Sequence, residues 1–294
     1  GGSIMKRSIA VAVAVAVAVA VCLASNATPI VGEEADEGTT LVGRVRDFLA
    51  GRPRDFEGVI RVDPGIVEER LGPDGRPVYA HGETGTATTS GSRNFDLWYH
   101  DVPGINRARG IELQLSPVLS SEPPVHQYAN PQFFPIDGQL LGNEGREHNH
   151  HFTVEFHHLF TYGGGETFTF WGDDDVWVFI NGILAVDLGG VHGAMEATLD
   201  LDAEAERLGI EPGGTYPFDF FFAERHTTES RFQVQTTLAL RPDPSFDPCV
   251  ETTLAPEAVP SFTAPPADAQ QIVPSPAPAV DDPCSRDAVR SPSP

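Results

Sequence analysis

Three consecutive carboxylates, Asp173, Asp174 and Asp175, lie between two segments that are otherwise typical of buried β-strands. Adjacent carboxylates repel one another, and removing them from water is costly unless a cation or several hydrogen-bond donors compensate. Trp171 and Trp177 flank the triplet, a setting in which three carboxylates are seldom found without a use. Calcium takes several oxygen ligands from a flexible cage. The residue types therefore indicate a calcium site. The alternative is a turn whose carboxylates accept hydrogen bonds from neighbouring amides.

The elements around the triplet are predicted to be β-strands. Asn181-Gly182 separates two apolar runs and predicts a type I′ hairpin, because both turn residues need a positive φ. One helix is predicted over residues 200–208, with Gly209 at its C-terminal cap. The predicted strands are 152–160, 167–171, 176–180, 183–187, 216–222 and 232–240. Short strands, many Gly and Pro turns and little helix predict an all-β fold, an antiparallel β-sandwich of roughly 200 residues.

The N-terminal segment is typical of a secretory signal peptide. Two basic residues at 6–7 precede an apolar run over 9–23, which ends in small residues. We expect cleavage after Ala27, or alternatively after Ala24, and we expect residues 1–4 not to be native. No other apolar run reaches the roughly 18–20 residues that span a bilayer. The sequence therefore predicts a secreted, extracellular protein without a membrane span.

Composition divides the rest of the chain into three parts. Residues 28–40 form an acidic leader, 41–241 have a globular composition, and 242–294 hold half of the 26 prolines. We expect this Pro-rich tail to be a disordered, polyproline-like spacer. Within it, Cys249 and Cys284 are expected to form a disulfide that closes a loop of about 35 residues. The remaining cysteine leaves with the signal peptide, unless the chain is a lipoprotein acylated there.

The net charge restricts the kinds of partner. With 19 basic and 42 acidic residues, the chain has a formal charge of −23. Nucleic-acid binding needs a surface rich in Lys and Arg, so the net charge argues against nucleic acid as a partner. The same charge disfavours adsorption to anionic membranes and suits a secreted, soluble protein or a calcium-rich setting.

Several blocks of residues resemble the fibro-slime domain, a family of bacterial secreted proteins and slime-mould extracellular proteins. This family is part of the β-sandwich superfamily named after the anthrax protective antigen. The matching blocks are VRDF at 45–48, RDFE at 54–57, NFDLWY at 94–99, DVPGIN at 101–106, the long block at 170–192, and FFAERHT at 221–227. The resemblance covers about residues 42–240. The chain differs from the family pattern at residues 52–56, where the family usually has an acidic element and this sequence reads RPRDF.

The resemblance implies a calcium site that binds sugar. In sugar-binding relatives, two adjacent Asp residues joined by a cis peptide ligate calcium, which then takes glycan hydroxyls. Asp173 and Asp174 match this pair, which leaves Asp175 a supporting role. The remaining ligands of the superfamily come from a loop before a late strand. In this chain, the loop residues with suitable oxygen atoms are Glu224, His226, Thr227 and Glu229.

Other candidates are judged by residue type. Asp187 follows the second hairpin strand and is either a further calcium ligand or a turn former. His192 is close in sequence to the triplet and is expected to bond a carboxylate or to touch ligand. Trp98 and Tyr99 either stack on sugar rings or belong to the core, whereas Trp177 is expected in the core.

The histidines suggest a different site. His148, His150, His151, His157 and His158 are crowded into one segment, and zinc prefers His nitrogen ligands. On a single strand, however, these side chains point to opposite faces and do not define one cage. Motifs of hydrolases that use a helical His pair or an activated Ser are absent from the sequence. We therefore expect a protein that is not an enzyme, with a metal-dependent hydrolase as the alternative.

The predicted function is a secreted, calcium-dependent recognition or adhesion module that binds carbohydrate of a cell surface or extracellular matrix. The first alternative is a structural matrix component in which calcium only stabilises the fold. Calcium affinity is expected to be weak, on the order of 10⁻⁴–10⁻³ M, as in other extracellular modules.

Overall fold

The computed structural model describes residues 39–119, 121–250, 281 and 283–285. The predicted signal peptide, nearly all of the acidic leader and most of the Pro-rich tail lie outside the described residues. Within the described part, the strands are β1 Thr39–Phe48, β2 Arg61–Val62, β3 Asn106–Val118, β4 Val125–Asn130, β5 Phe152–Thr161, β6 Thr167–Gly172, β7 Asp175–Ile180, β8 Ile183–Leu188, β9 Gly190–Val191, β10 Met195–Asp200, β11 Thr215–Glu224, β12 Phe232–Thr236 and β13 Arg241–Pro242. The helices are α1 Ser92–Phe95 and α2 Leu201–Leu208. No helix in this part of the chain is long and apolar enough to cross a membrane.

The strands form an antiparallel β-sandwich, as the sequence predicts. Their order is β10-β6-β12-β4-β3-β1-β5-β11-β7-β8, with β13 paired to β5. Strand β3 joins the two layers, because its first ten residues pair with β1 and its last three pair with β4. Aromatic rings from the two layers meet in the core: Phe168 lies 5.1 Å from Phe218, and Phe170 lies 5.7 Å from Phe220, between ring centroids.

A second apolar cluster covers the other face of β7 and β11. Trp177 and Phe221 point away from the first core and pack with Phe48, Phe56 and Trp98. Because both faces of β7 are covered, all six of its residues are buried. This double burial explains why the strand after the Asp triplet is a continuous apolar run rather than an alternating one.

The hairpin and the helix agree with the sequence analysis. Asn181 and Gly182 have φ values of 54° and 70°, and Ile180 pairs with Ile183 across the turn. The Asp200 side chain accepts hydrogen bonds from the first turn of α2, and Gly209 ends the helix with a φ of 65°. The last predicted strand, 232–240, is shorter in the structure, where β12 ends at Thr236.

The domain boundaries differ from the expectation. β1 already begins at Thr39, inside the predicted leader. Described tail residues contact the domain: Asp243 N–H donates to the His157 carbonyl at 3.1 Å, and the Arg44 guanidinium donates to the Pro248 carbonyl at 2.5 Å. Cys249 and Cys284 form the predicted disulfide. These described tail residues lie against the domain because its polar groups supply hydrogen-bond partners. For them, the prediction of a disordered spacer is wrong.

Candidate functional site

The connection from β6 to β7 places the Asp triplet where the chain passes from one layer to the other. β6 ends at Gly172 and β7 begins at Asp175, so Asp173 and Asp174 form the turn. The backbone N–H of Asp173 donates to the Arg231 carbonyl at 3.3 Å. Asp174 adopts a φ of 51°, in the left-handed region. The cis peptide expected between the two Asp residues is not found: among the described residues, cis bonds precede only prolines. The turn reverses direction through the positive φ instead.

The third carboxylate of the triplet is part of a buried ion pair. Asp175 accepts hydrogen bonds from Nε and Nη2 of Arg225, the second at 3.1 Å, and from the Gly190 N–H at 2.6 Å. Both charged side chains are fully buried. This corrects the inclusion of Asp175 among the metal ligands, because its two oxygens already neutralise Arg225.

The other two members of the triplet have fewer partners. Asp174 accepts from the His192 N–H at 3.1 Å and from the Arg225 N–H at 2.8 Å, one bond to each oxygen. Asp173 is buried, yet neither of its oxygens accepts a hydrogen bond. The nearest cation is the Arg231 guanidinium, at 3.6 Å.

Glu224, at the end of β11, is a second buried carboxylate without a hydrogen bond of ordinary geometry at either oxygen. Burial is the main cause that raises the pKa of Glu224 well above its usual value, and the neighbouring Asp174 and Asp173 act in the same direction. The Ser230 hydroxyl acts in the opposite direction and does not offset them. Burial also raises the pKa of Asp174 to about 6 and raises the pKa of Asp173. Burial therefore disfavours the ionised form of all three carboxylates.

A small cleft of about 80 Å³ opens beside the turn. It collects six of the residues selected from the sequence: Asp173, Asp174, His192, His226, Thr227 and Glu229. Glu224 is buried and does not line this cleft. The ring nitrogens of His192 lie 3.0 and 3.2 Å from the carbonyl oxygens of Gly193 and Leu188. This histidine is therefore held by backbone at the edge of the cleft.

Glu57 is an organising residue that the sequence analysis missed. Its Oε1 accepts from the Thr227 N–H at 3.0 Å and lies 3.0 Å from Nε2 of His151. Its own N–H donates to the Arg225 carbonyl at 2.7 Å. These bonds fix the loop after β11 from a position 170 residues earlier in the chain. Glu57 belongs to the RDFE block of the family resemblance, which was the available signal.

Three of the predicted site residues lie elsewhere. Asp187 accepts from Nε1 of Trp177 at 3.0 Å and from the Gly65 N–H at 2.7 Å, which makes it a structural acceptor. Trp98 and Tyr99 are 0% and 1% exposed and belong to the second apolar cluster. They cannot stack on a ligand from solvent, so their assignment as ligand contacts is wrong. Their large apolar surface is covered by the domain itself.

The clustered histidines have separate partners. His157 lies 2.7 Å from Asp219 and 3.3 Å from Glu155, and His148 lies 2.6 Å from Asp137. Across the part of the chain that the structure describes, no three His, Cys, Asp or Glu side chains stand in a ready-made metal-ligating arrangement. A cation near Asp173 would therefore require side-chain adjustment.

Comparison with known proteins identifies relatives of this chain. Residues 136–246 match the PA14 domain. The chain is 40% identical to the protein psiR of Dictyostelium discoideum over 235 residues, which are 75% of this chain and 23% of psiR. It is 41% identical to psiQ of the same organism over 223 residues, which are 70% of this chain and 22% of psiQ. The chain thus spans about a quarter of the length of these relatives.

Solved structures give only weak overall superpositions. A PA14 sugar-binding domain from an RTX adhesin has a TM-score of 0.30 at 9% identity, covering 69% of this chain and 95% of that domain. The PA14 domain of the MpAFP antifreeze protein has a TM-score of 0.25 at 12% identity, covering 44% of this chain and 71% of that domain. The narrower resemblance to the fibro-slime domain stays a prediction. The chain is homologous to the Dictyostelium psi proteins and contains a match to the PA14 domain, which is related to the protective-antigen fold.

Proposed function

We propose that this protein is an exported recognition or adhesion module that binds carbohydrate through a calcium ion held by Asp173, Asp174 and Glu224. The observation that carries the proposal is the pair of buried carboxylates, Asp173 and Glu224, whose four oxygens accept no hydrogen bond of ordinary geometry. A buried carboxylate that accepts no hydrogen bond is costly, and a bound cation reduces that cost. Export is proposed on the basis of residues 1–27.

The donor set fits a hard cation. All the available atoms are carboxylate oxygens, which calcium prefers, and calcium tolerates flexible geometry. Each Asp174 oxygen already accepts one backbone N–H and keeps a second lone pair for a metal. Asp173 and Glu224 would have to turn toward one ion, and calcium sites permit that adjustment. A bound calcium ion would favour the ionised form of all three groups and so oppose the rise in their pKa values.

The cleft supports a small polar ligand with an apolar face. His226, Thr227 and Glu229 provide polar groups at its rim, and Ile60 is 65% exposed beside them. A sugar offers hydroxyls to a cation and to polar side chains, while its C–H face can cover an exposed aliphatic group. The PA14 match supports a binding or adhesion role, and the proposed activity is not enzymatic.

The test is a calcium titration by calorimetry followed by a glycan array with calcium or with EGTA. We expect wild-type protein to bind at least one glycan class only with calcium, and Asp173→Asn to lose that binding. Glu68→Gln changes an exposed carboxylate outside the cleft and serves as the matched control. Calcium-dependent stability without any array signal would favour the structural-matrix role. Tight zinc binding without calcium binding would overturn both.

A further inference from the structure

The outer face of the β10-β6-β12 layer carries a groove that the Asp173 site does not use. The groove has a volume of about 390 Å³ and lies on three hydrogen-bonded strands. Its lining residues are Thr169, Trp171, Glu196, Thr198, Gln233 and Gln235. We propose that this face is a second binding site, which takes a neutral polysaccharide chain along the strands without a metal ion.

The strand register makes the groove a regular two-row surface. Trp171 lies between Glu196 of β10 and Gln233 of β12. In the next row, Thr169 lies between Thr198 and Gln235. Neighbouring strands are about 4.8 Å apart, and side chains on one face repeat about every 6.8 Å along a strand. An extended ligand can therefore contact the indole in one row and hydroxyls and amides in the other.

The chemistry of the groove selects a neutral, hydroxyl-rich ligand. Hydroxyl and amide side chains both donate and accept, as sugar hydroxyls do. Trp171 offers a ring face on which the C–H side of a sugar can pack. Only Glu196 among the lining residues is charged, and the formal charge of −23 repels polyanions. A specific protein interface takes about 20–30 residues on each side, far more than the six that line this groove.

Arg231 lies near a residue of the groove and near a residue of the candidate calcium cleft. Arg231 lies over the Trp171 ring at 5.9 Å from its centroid, and its Nη1 is 3.6 Å from Asp173. A long chain held at one surface can therefore reach the other. The two sites nevertheless differ in their need for a metal ion, because the groove contains no cluster of carboxylates.

Tryptophan fluorescence gives a direct readout. The three tryptophans are Trp98, Trp171 and Trp177, and the first and third are 0% exposed. Acrylamide should therefore quench mainly Trp171. With EGTA present, we would add a soluble β-glucan, a galactomannan or dextran, and measure quenching together with retardation in gels that contain each polysaccharide. We expect at least one of them to retard the protein and to protect Trp171 from acrylamide.

Variants separate the groove from the calcium cleft. Trp171→Ala should weaken the retardation about tenfold, and Gln233→Ala should weaken it less while leaving the indole in place. Leu119→Ala, at an 87% exposed position elsewhere, is the control and should bind like wild type. Asp173→Asn should retain binding in EGTA. The proposal is overturned if none of the three neutral polysaccharides retards the protein. It is also overturned if heparin, tested as a polyanion, is the only polysaccharide that retards it. Binding that needs calcium and is lost in Asp173→Asn also overturns it and leaves the proposed calcium site intact.

Discussion

Arg225 and Asp175 form a fully buried ion pair in which the guanidinium donates to both carboxylate oxygens. The same arginine donates its backbone N–H to Asp174, and its guanidinium lies 4.7 Å from the Trp98 ring centroid. One residue therefore neutralises one carboxylate of the triplet and orients the next. Among the described residues of this site, Asp173 and Glu224 are then the carboxylates whose oxygens accept no hydrogen bond of ordinary geometry. They are therefore the main candidates for holding a cation.

Arg225→Ala should destabilise the protein strongly. Removal of one partner leaves Asp175 as an uncompensated buried charge, which costs about 3–5 kcal/mol. Urea unfolding at neutral pH measures the loss. Arg54→Ala changes an exposed arginine and should stay within about 0.5 kcal/mol of wild type. A small effect at Arg225 would show that water reaches this ion pair.

Glu224→Gln should separate metal binding from stability. Calcium at about 10 mM should raise the free energy of unfolding of the wild type by about 1–3 kcal/mol, if the affinity is in the range of extracellular modules. The variant should lose this increment, yet its metal-free stability should not fall, because a neutral amide replaces a buried unpaired carboxylate.

Asp187→Ala is the comparison variant for Glu224→Gln, and the opposite effects on metal-free stability and on the calcium increment are expected. It should lower metal-free stability by about 1–3 kcal/mol, because Trp177 Nε1 and the Gly65 N–H lose their acceptor. The calcium increment should remain. If the increment disappears in Asp187→Ala and persists in Glu224→Gln, the assignment of ligands is reversed.

Glu57→Ala should loosen the loop that borders the cleft. The Thr227 amide would lose its acceptor, so its hydrogen exchange should accelerate, and glycan binding should weaken several-fold. Glu68→Ala, at an exposed position, provides the control for both measurements. Unchanged exchange at Thr227 would mean that the loop is held by its other contacts alone.

His157 should make stability depend on pH in the alkaline range. It is buried, but hydrogen bonds to Asp219 and Glu155 overcome the effect of burial and raise its pKa from 6.5 to about 9. The folded state therefore binds the proton more tightly than the unfolded state. The stabilisation is fully present below pH 6.5 and is lost as pH rises through 9, on the order of 3 kcal/mol in total. Urea unfolding between pH 6 and 10 measures this slope, which His157→Gln should flatten; an equal slope in the variant would assign it to another group.

Local sequence features predicted a large part of the fold. The Asn181-Gly182 turn and the Asp200 and Gly209 caps depend on the conformational preferences of single residues, so a short window contains the information. β1 and β3 were not predicted, since their ten paired positions include charged residues such as Arg44 and Arg46, which are buried against Asp101. That burial exists only after distant residues have come together.

The candidate site was also predicted only in part, since some of its features depend on residues that are distant in the chain. Sequence alone made Asp173, Asp174 and Asp175 candidates, because adjacent carboxylates between apolar strands need an explanation wherever they occur. Only the tertiary structure revealed that Asp175 forms an ion pair with Arg225, 50 residues away in the chain. It also revealed that Glu57 accepts a hydrogen bond from the backbone of Thr227, 170 residues away. Residue type determines which side chains can bind a cation. Which of them remain available depends on partners that the folding of the chain brings together.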